Sequence, residues 1–191
     1  MIKQPKQKRN GFSLIEIIIV ISISVLLFLI VSMVYYISQI TYQKTDTRAE
    51  ITQNSRVITD RMVRELRQSQ SLVTTLPADN SNPALTPSEI KFLDGHNSSI
   101  ISYIRYYLAG QNIQREYSRY YFPADPTTYV HIYDTDQYGN PPIQEIVEDK
   151  IIGEHASDLE FYGNKLININ LYLIKNSETI IINTSIYGRN L

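Results

Sequence analysis

Glu16 is the residue whose surroundings most constrain its chemistry. The run from Ile17 to Gln43 holds no Lys, Arg, Asp or Glu. An unpaired carboxylate at the head of such a run, four positions into the apolar stretch that begins at Phe12, costs roughly 2–3 kcal/mol or more against insertion in hydrocarbon. It needs a cationic partner, and the run supplies none. Other reactive groups are sparse. His96, His131 and His155 fall in different turns and strands, with no spacing that brings two to one helix face. No serine lies in a nucleophile-elbow setting and no glycine-rich phosphate loop is present. The chain has no cysteine, which excludes thiolate metal sites, cysteine nucleophiles and disulfides. No enzyme is expected. One stretch has the outline of a calcium loop: Asp134, Asp136 and Glu145 stand at positions one, three and twelve, with Gly139 at six. Tyr138 occupies position five, where a side-chain ligand is usual, and Pro141 and Pro142 follow. The alternative is an ordinary Asp/Gly turn, and no other cofactor is expected.

The elements that carry these residues follow from composition and spacing. Residues 1–11 hold Lys3, Lys6, Lys8 and Arg9 and no acid. The apolar run after them is long enough to cross a bilayer as a tilted helix, at about 1.5 Å per residue and roughly 20 residues per crossing. By the positive-inside rule the basic start stays in the cytoplasm and everything beyond Gln43 lies outside it. Membrane lipid is therefore an expected partner. From Phe12 to Leu76 there is neither Gly nor Pro, which permits one unbroken helix of about 90 Å ending near Ser71. Ile51, Ile58, Met62 and Leu66 recur at seven and four residues and mark one buried stripe. Asp60 with Arg64 and Arg61 with Glu65 are four-residue pairs expected on the exposed side.

The remaining chain reads as antiparallel β. A loop covers Ala78 to Ser88; Glu89 to Leu93 and Ser98 to Leu108 form a hairpin, and Ala109 to Asn112 turns into Ile113 to Tyr117. Residues 118–142 read as an excursion with at most one short strand. Ile143 to Ile152 is open between strand and helix, and His155 to Asp158 reads as a turn before Leu159 to Tyr162. After Gly163-Asn164, the alternation of Ile167, Ile169, Leu171 and Leu173 is that of a half-buried strand. Asn176-Ser177-Glu178 turns into a last strand with Ile180, Ile182 and Ile186 on one side. The fold class is thus α+β, a long N-terminal helix packed on an antiparallel sheet domain. The expected divisions are 1–11, 12–43, 44–73 and 74–191. Net charge is +4 over residues 1–11 and −4 over residues 44–191, so no broad nucleic-acid surface is expected. Arg56, Arg61, Arg64 and Arg67 read as a solvated face. The fifteen tyrosines read as packed-sheet residues rather than an adhesive surface.

Gly11-Phe12-Ser13-Leu14-Ile15-Glu16, after a short basic leader and before an apolar helix, resembles the N-terminus of type IV pilins and type II secretion pseudopilins. The resemblance implies that a prepilin peptidase cuts between Gly11 and Phe12 and methylates the new amino terminus at Phe12. It also implies that Glu16 meets the free amine of a neighbouring subunit during assembly on an inner-membrane platform. The physics agrees, because the cut removes four positive charges and creates an ammonium to neutralise a buried carboxylate. Arg64-Glu65-Leu66-Arg67, the hairpin Tyr106 to Ile113 with Arg115-Glu116, and the terminal Arg189-Asn190 resemble minor pilins of the PilW type or J-type pseudopilins. Two departures stand out: Met33 lies where major pilins often carry a proline, and the C-terminal disulfide loop of many major subunits cannot form. The implied function is a structural subunit of a pilus, secretion or DNA-uptake filament, at the cytoplasmic membrane and then in the periplasm or outside the cell. The rival is an uncleaved signal-anchored protein with an exported ligand-binding β domain.

Overall fold

The computed structural model describes Gly11, residues 13–96 and residues 100–188. It is α+β: one long helix followed by antiparallel sheets. Two compact units are present, Met1–Asp46 and Thr47–Leu191.

Helix α1 runs unbroken over Leu14–Gln68, as the absence of Gly and Pro allows. Its end has a local cause. The Ser69 hydroxyl and amide both donate to the Leu66 carbonyl, at 2.7 and 3.2 Å, and Gln70 N donates to Leu93 O at 3.1 Å. The last turn's carbonyl is thereby satisfied and the chain passes into strand β1, Ser71–Leu72. The helix stops three residues short of the expected Ser71.

Eight further strands follow: β2 Glu89–Leu93, β3 Tyr103–Ala109, β4 Asn112–Phe122, β5 Asp125–Tyr129, β6 Ile143–Gly153, β7 Ala156–Tyr162, β8 Leu166–Lys175 and β9 Glu178–Tyr187. They form two sheets. In the first, β1 to β5 pair in sequence order and β6 pairs β4; in the second, β7-β8-β9 is a meander. Residues Ile113 to Ser118 of β4 are paired on both edges, with β3 on one and β6 on the other.

A single core joins both sheets to the second half of α1. Ile51, Ile58, Met62 and Leu66 are fully buried against Ile90, Phe92, Ile104 and Ile113 of the first sheet and Leu159, Phe161, Ile167, Leu171 and Leu173 of the second. The seven-four-four stripe is the face that burial of apolar area selects. Gly95 marks the tightest approach, since a Cβ there would lie 1.8 Å from the Gln68 carbonyl oxygen. At Gly163 a φ of +112° and a Cβ contact of 1.9 Å with Leu166 O require glycine in the β7–β8 turn.

Several sequence expectations change. Ser118 to Phe122 is not irregular but continues β4, because Ser118 to Tyr121 gain β6 as a partner and Phe122 pairs with Asp125 of β5. The ambiguous segment at 143–152 is strand β6, and Ala156 to Asp158 belongs to β7 rather than to a turn. Strand β3 starts at Tyr103, so Ile101 and Ser102 precede it; Ser98 and Ser99 lie outside the described residues. Part of the excursion is packed. Val130 and Ile132 cover a small cluster of Leu93, Tyr103 and Tyr120 on the first sheet's far face, held by Val130 N to Tyr120 O at 2.9 Å and Ile132 N to Tyr103 OH at 3.1 Å.

Candidate functional site

The N-terminal segment is built on the start of α1. The Ser13 carbonyl accepts from Glu16 N at 3.0 Å and Ile17 N at 3.2 Å, so Glu16 stands in the first turn, where a carboxylate favours the helix dipole. Among the described residues no hydrogen bond or ion pair engages its side chain. Gly11 is exposed, and a Cβ there would meet nothing within 4 Å. Folding of the described residues therefore gives no reason for glycine at this position. Phe12 and residues 1–10 lie outside the described residues.

Beyond Glu16 the helix surface is apolar and exposed from Ile17 to Ile37. The helix is long and apolar enough to cross a membrane. Two of its hydroxyls suit such surroundings. Ser22 Oγ donates to Ile18 O at 2.8 Å and Thr41 Oγ1 to Ile37 O at 2.9 Å, satisfying groups that hydrocarbon would leave unpaired. Tyr35, Tyr36 and Tyr42 stand exposed toward the run's far end, where aromatic rings suit a membrane–water boundary.

A second polar constellation, in the other unit, departs from the sequence expectation. Glu65 was expected to pair with Arg61 on an exposed face. That pair forms, at 3.3 Å, but Glu65 is only 7 % exposed. Its carboxylate accepts from Tyr106 OH at 2.5 Å and from Arg115 Nε at 2.9 and 3.2 Å, tying α1 to β3 and β4. Arg115 also reaches Glu148 on β6, at 3.6 Å. The signal was in the sequence: Glu65 follows Ile58 by seven and Met62 by three, which places it on the buried stripe. Asp60 and Arg64 are both exposed, as are Arg56 and Arg67.

Electrostatics at Glu65 are a contest. Burial alone would raise its carboxyl, but the hydrogen bonds from Arg115 and Tyr106 and the Arg115 and Arg61 charges outweigh it and hold it below its ordinary 4.5. Burial, with the Glu65 charge second, raises the Tyr106 phenol so that it stays a donor. Because the folded carboxyl is depressed, its contribution is complete above the unfolded value and is lost as pH falls through the folded one. The urea midpoint of the full chain should therefore begin to drop as pH falls below about 4.5 and go on falling through the depressed folded value. Glu65→Gln should flatten that acid limb, which a pH series of urea melts would read.

The other chemical candidates do not converge. Asp136 spends its carboxylate inside its own turn, accepting from Tyr138 N and Asn140 N at 2.8 Å and Asn140 Nδ2 at 2.9 Å. Asp134 accepts from His131 N at 2.7 Å, while Glu145 lies on β6 opposite Arg119. Asp134, Asp136 and Glu145 are therefore not gathered as calcium ligands. Among the described residues, no group of three His, Asp or Glu is placed to hold a metal. His96 contacts Asp94 at 3.2 Å, His131 contacts Tyr103 at 3.3 Å, and His155 sits at a φ of 65° between β6 and β7. Several tyrosines do pack: Tyr103, Tyr106 and Tyr120 are buried, and Lys91 lies over the Tyr120 ring at 4.9 Å.

Comparison with known proteins adds one finding. Residues 6–32 match the family model of the prokaryotic N-terminal methylation motif. No curated protein matches the chain. Over that segment the chain is similar to type IV pilin and pseudopilin precursors, whose motif family is structural rather than enzymatic. The motif implies processing by a prepilin peptidase and assembly with other pilins, and with the apolar helix it fits a membrane-anchored protein.

Proposed function

We propose that this chain is a minor pilin or pseudopilin, a structural subunit that enters a type IV pilus, type II secretion or DNA-uptake filament through its N-terminal helix. The observation that carries the reading is Glu16 itself, in the first turn of an uninterrupted apolar helix within the segment matching the methylation motif. Prepilin peptidase cuts between Gly11 and Phe12 and methylates Phe12. An exposed glycine that packs against none of the described residues is what recognition by an outside enzyme would leave. Residues 1–11 form the leader, 12–43 the transmembrane and assembly helix, 44–73 the amphipathic continuation, and 74–191 the extracytoplasmic β domain. In the membrane, apolar helices pack side by side, with Glu16 of one neutralising the amino terminus of another in low dielectric. An inner-membrane assembly platform then draws the subunits into the filament.

Intact mass of the protein from its native membrane, with and without the host's prepilin peptidase, tests this. The expected product is a chain beginning at N-methylated Phe12 only where the peptidase is present. A chain beginning at Met1 in both hosts would overturn the reading and leave an uncleaved, signal-anchored β domain.

A further inference from the structure

The two sheets end in edges of different character. Strand β6 is blunted: its register against β4 shifts twice, and Glu145, Glu148, Asp149 and Lys150 lie along it. Bulges and charges of this kind obstruct edge-to-edge pairing. The outer edge of β7 is occupied, with Ala156 N donating to Gln111 O at 2.9 Å and Phe161 N to Pro87 O at 3.1 Å. Strand β9 has neither protection. Its ten residues pair β8 without a register shift, and from Thr179 to Tyr187 it carries no charge and no proline.

The groups exposed on that edge can be assigned. Asn176 and Ser177, at φ 48° and 69°, form a two-residue hairpin turn of the type with positive φ at both positions. In such a hairpin the flanking pair, Lys175 and Glu178, is hydrogen-bonded. Alternation then turns the N–H and C=O of Thr179, Ile181, Asn183, Ser185 and Tyr187 to the free edge. Ile174 N, which donates to His155 O at 2.8 Å away from β9, fits the same alternation. Among the described residues no backbone partner meets those five. Ile181 and Tyr187 also stand 55 % and 66 % exposed.

We propose that β9 pairs edge to edge with β9 of a second copy, antiparallel and two-fold, with Asn183 opposite its own mate. This register engages both backbone groups of all five edge residues; sliding by two leaves a residue unpaired at each end. It sets Ile181 beside the partner's Ser185 and Tyr187 beside the partner's Thr179, a large side chain against a small one each time. The strand is neutral from Thr179 onward, so self-pairing there meets no like-charge repulsion. A two-fold contact closes on itself and does not propagate a fibre. It is small for a stable interface, but copies held in one bilayer meet at high effective concentration. That confinement rests on the membrane reading above; the register does not.

The absence of cysteine makes a single introduced thiol a clean reporter. Full-length Asn183→Cys and Thr179→Cys variants are oxidised in native membranes of cells lacking prepilin peptidase, so that neither leader cleavage nor filament growth enters the result. Asn183→Cys should form a disulfide-linked dimer. Thr179→Cys should give at least about tenfold less, because its two thiols would lie about 27 Å apart along the paired strands. Adding Ser185→Pro to Asn183→Cys should abolish the dimer with only a small drop in the urea midpoint, since the Ser185 N–H faces the free edge and its hydroxyl gives up one exposed bond to Asn168 Oδ1, 2.7 Å long. Ile181→Lys, at an exposed position, is a second disruptor should the proline disturb folding. Equal crosslinking at 179 and 183, no crosslink at 183, or a dimer that survives both disruptors would each overturn the proposal.

Discussion

Replacing Arg115 with Ala should lower the stability of the Thr47–Leu191 unit by about 3–5 kcal/mol, the usual loss when one partner of a buried ion pair is removed. The reason lies at the junction of α1 with the first sheet. Glu65 and Arg115 are 7 % and 8 % exposed, and their contact at 2.9 Å is reinforced by the Tyr106 hydroxyl. Without Arg115 the Glu65 carboxylate remains buried, with Tyr106 and the partly exposed Arg61 as its donors. It must then either protonate or draw in water, and both oppose folding. Urea unfolding of the full chain, followed by tyrosine fluorescence, reads the loss. Adding Glu65→Gln should recover part of it, because the stranded charge is gone. A loss below about 1 kcal/mol would show instead that the pair behaves as a surface salt bridge.

Glu16→Leu should leave the protein in the membrane and still cleaved, yet reduce its entry into sheared filaments by about tenfold or more, equivalent to at least 1.4 kcal/mol of lost subunit contact. An ionised carboxylate in the apolar segment is a burden of roughly 2–3 kcal/mol, so removing it alone makes the anchor more comfortable. Any loss of assembly must therefore come from a partner left without its counter-charge. Within the described residues Glu16 engages no partner, and in the proposed assembly the mature amino terminus of a neighbour would carry the complementary charge. The readout is the ratio of mature chain in the filament fraction to that in the membrane. Incorporation of the Leu variant at the wild-type ratio would sink the assembly role of Glu16. Failure of cleavage would place its role at the peptidase step instead.

How much of this was legible in the chain depends on the range of the interaction concerned. The helix, its continuity through Gln68, the buried stripe of Ile51, Ile58, Met62 and Leu66, and the alternating strand at 166–175 all rest on local spacing. Helix and strand periods write themselves directly into sequence. The methylation motif at residues 6–32 was legible for the same reason, since it is a fixed short spacing followed by an apolar run that needs no tertiary partner. Other features depended on what the sheets bring alongside. Ser118 to Tyr121 becomes strand because β6 pairs with it, and the excursion after Tyr129 is held because the tyrosines of the first sheet offer it an apolar face. Glu65 lay on the buried stripe in plain view. An acid there reads as an error or an exposed residue until Tyr106 and Arg115, 41 and 50 residues later, arrive to satisfy it. The calcium-like spacing at Asp134 to Glu145 shows the converse, for ligand spacing without a wrapping backbone leaves Asp136 bonded to its own turn and Glu145 on a strand. Short-range periodicity therefore determined the elements and the N-terminal segment. Long-range pairing, which alone sets strand partners, free edges and the company of a buried charge, was decided only by the tertiary structure.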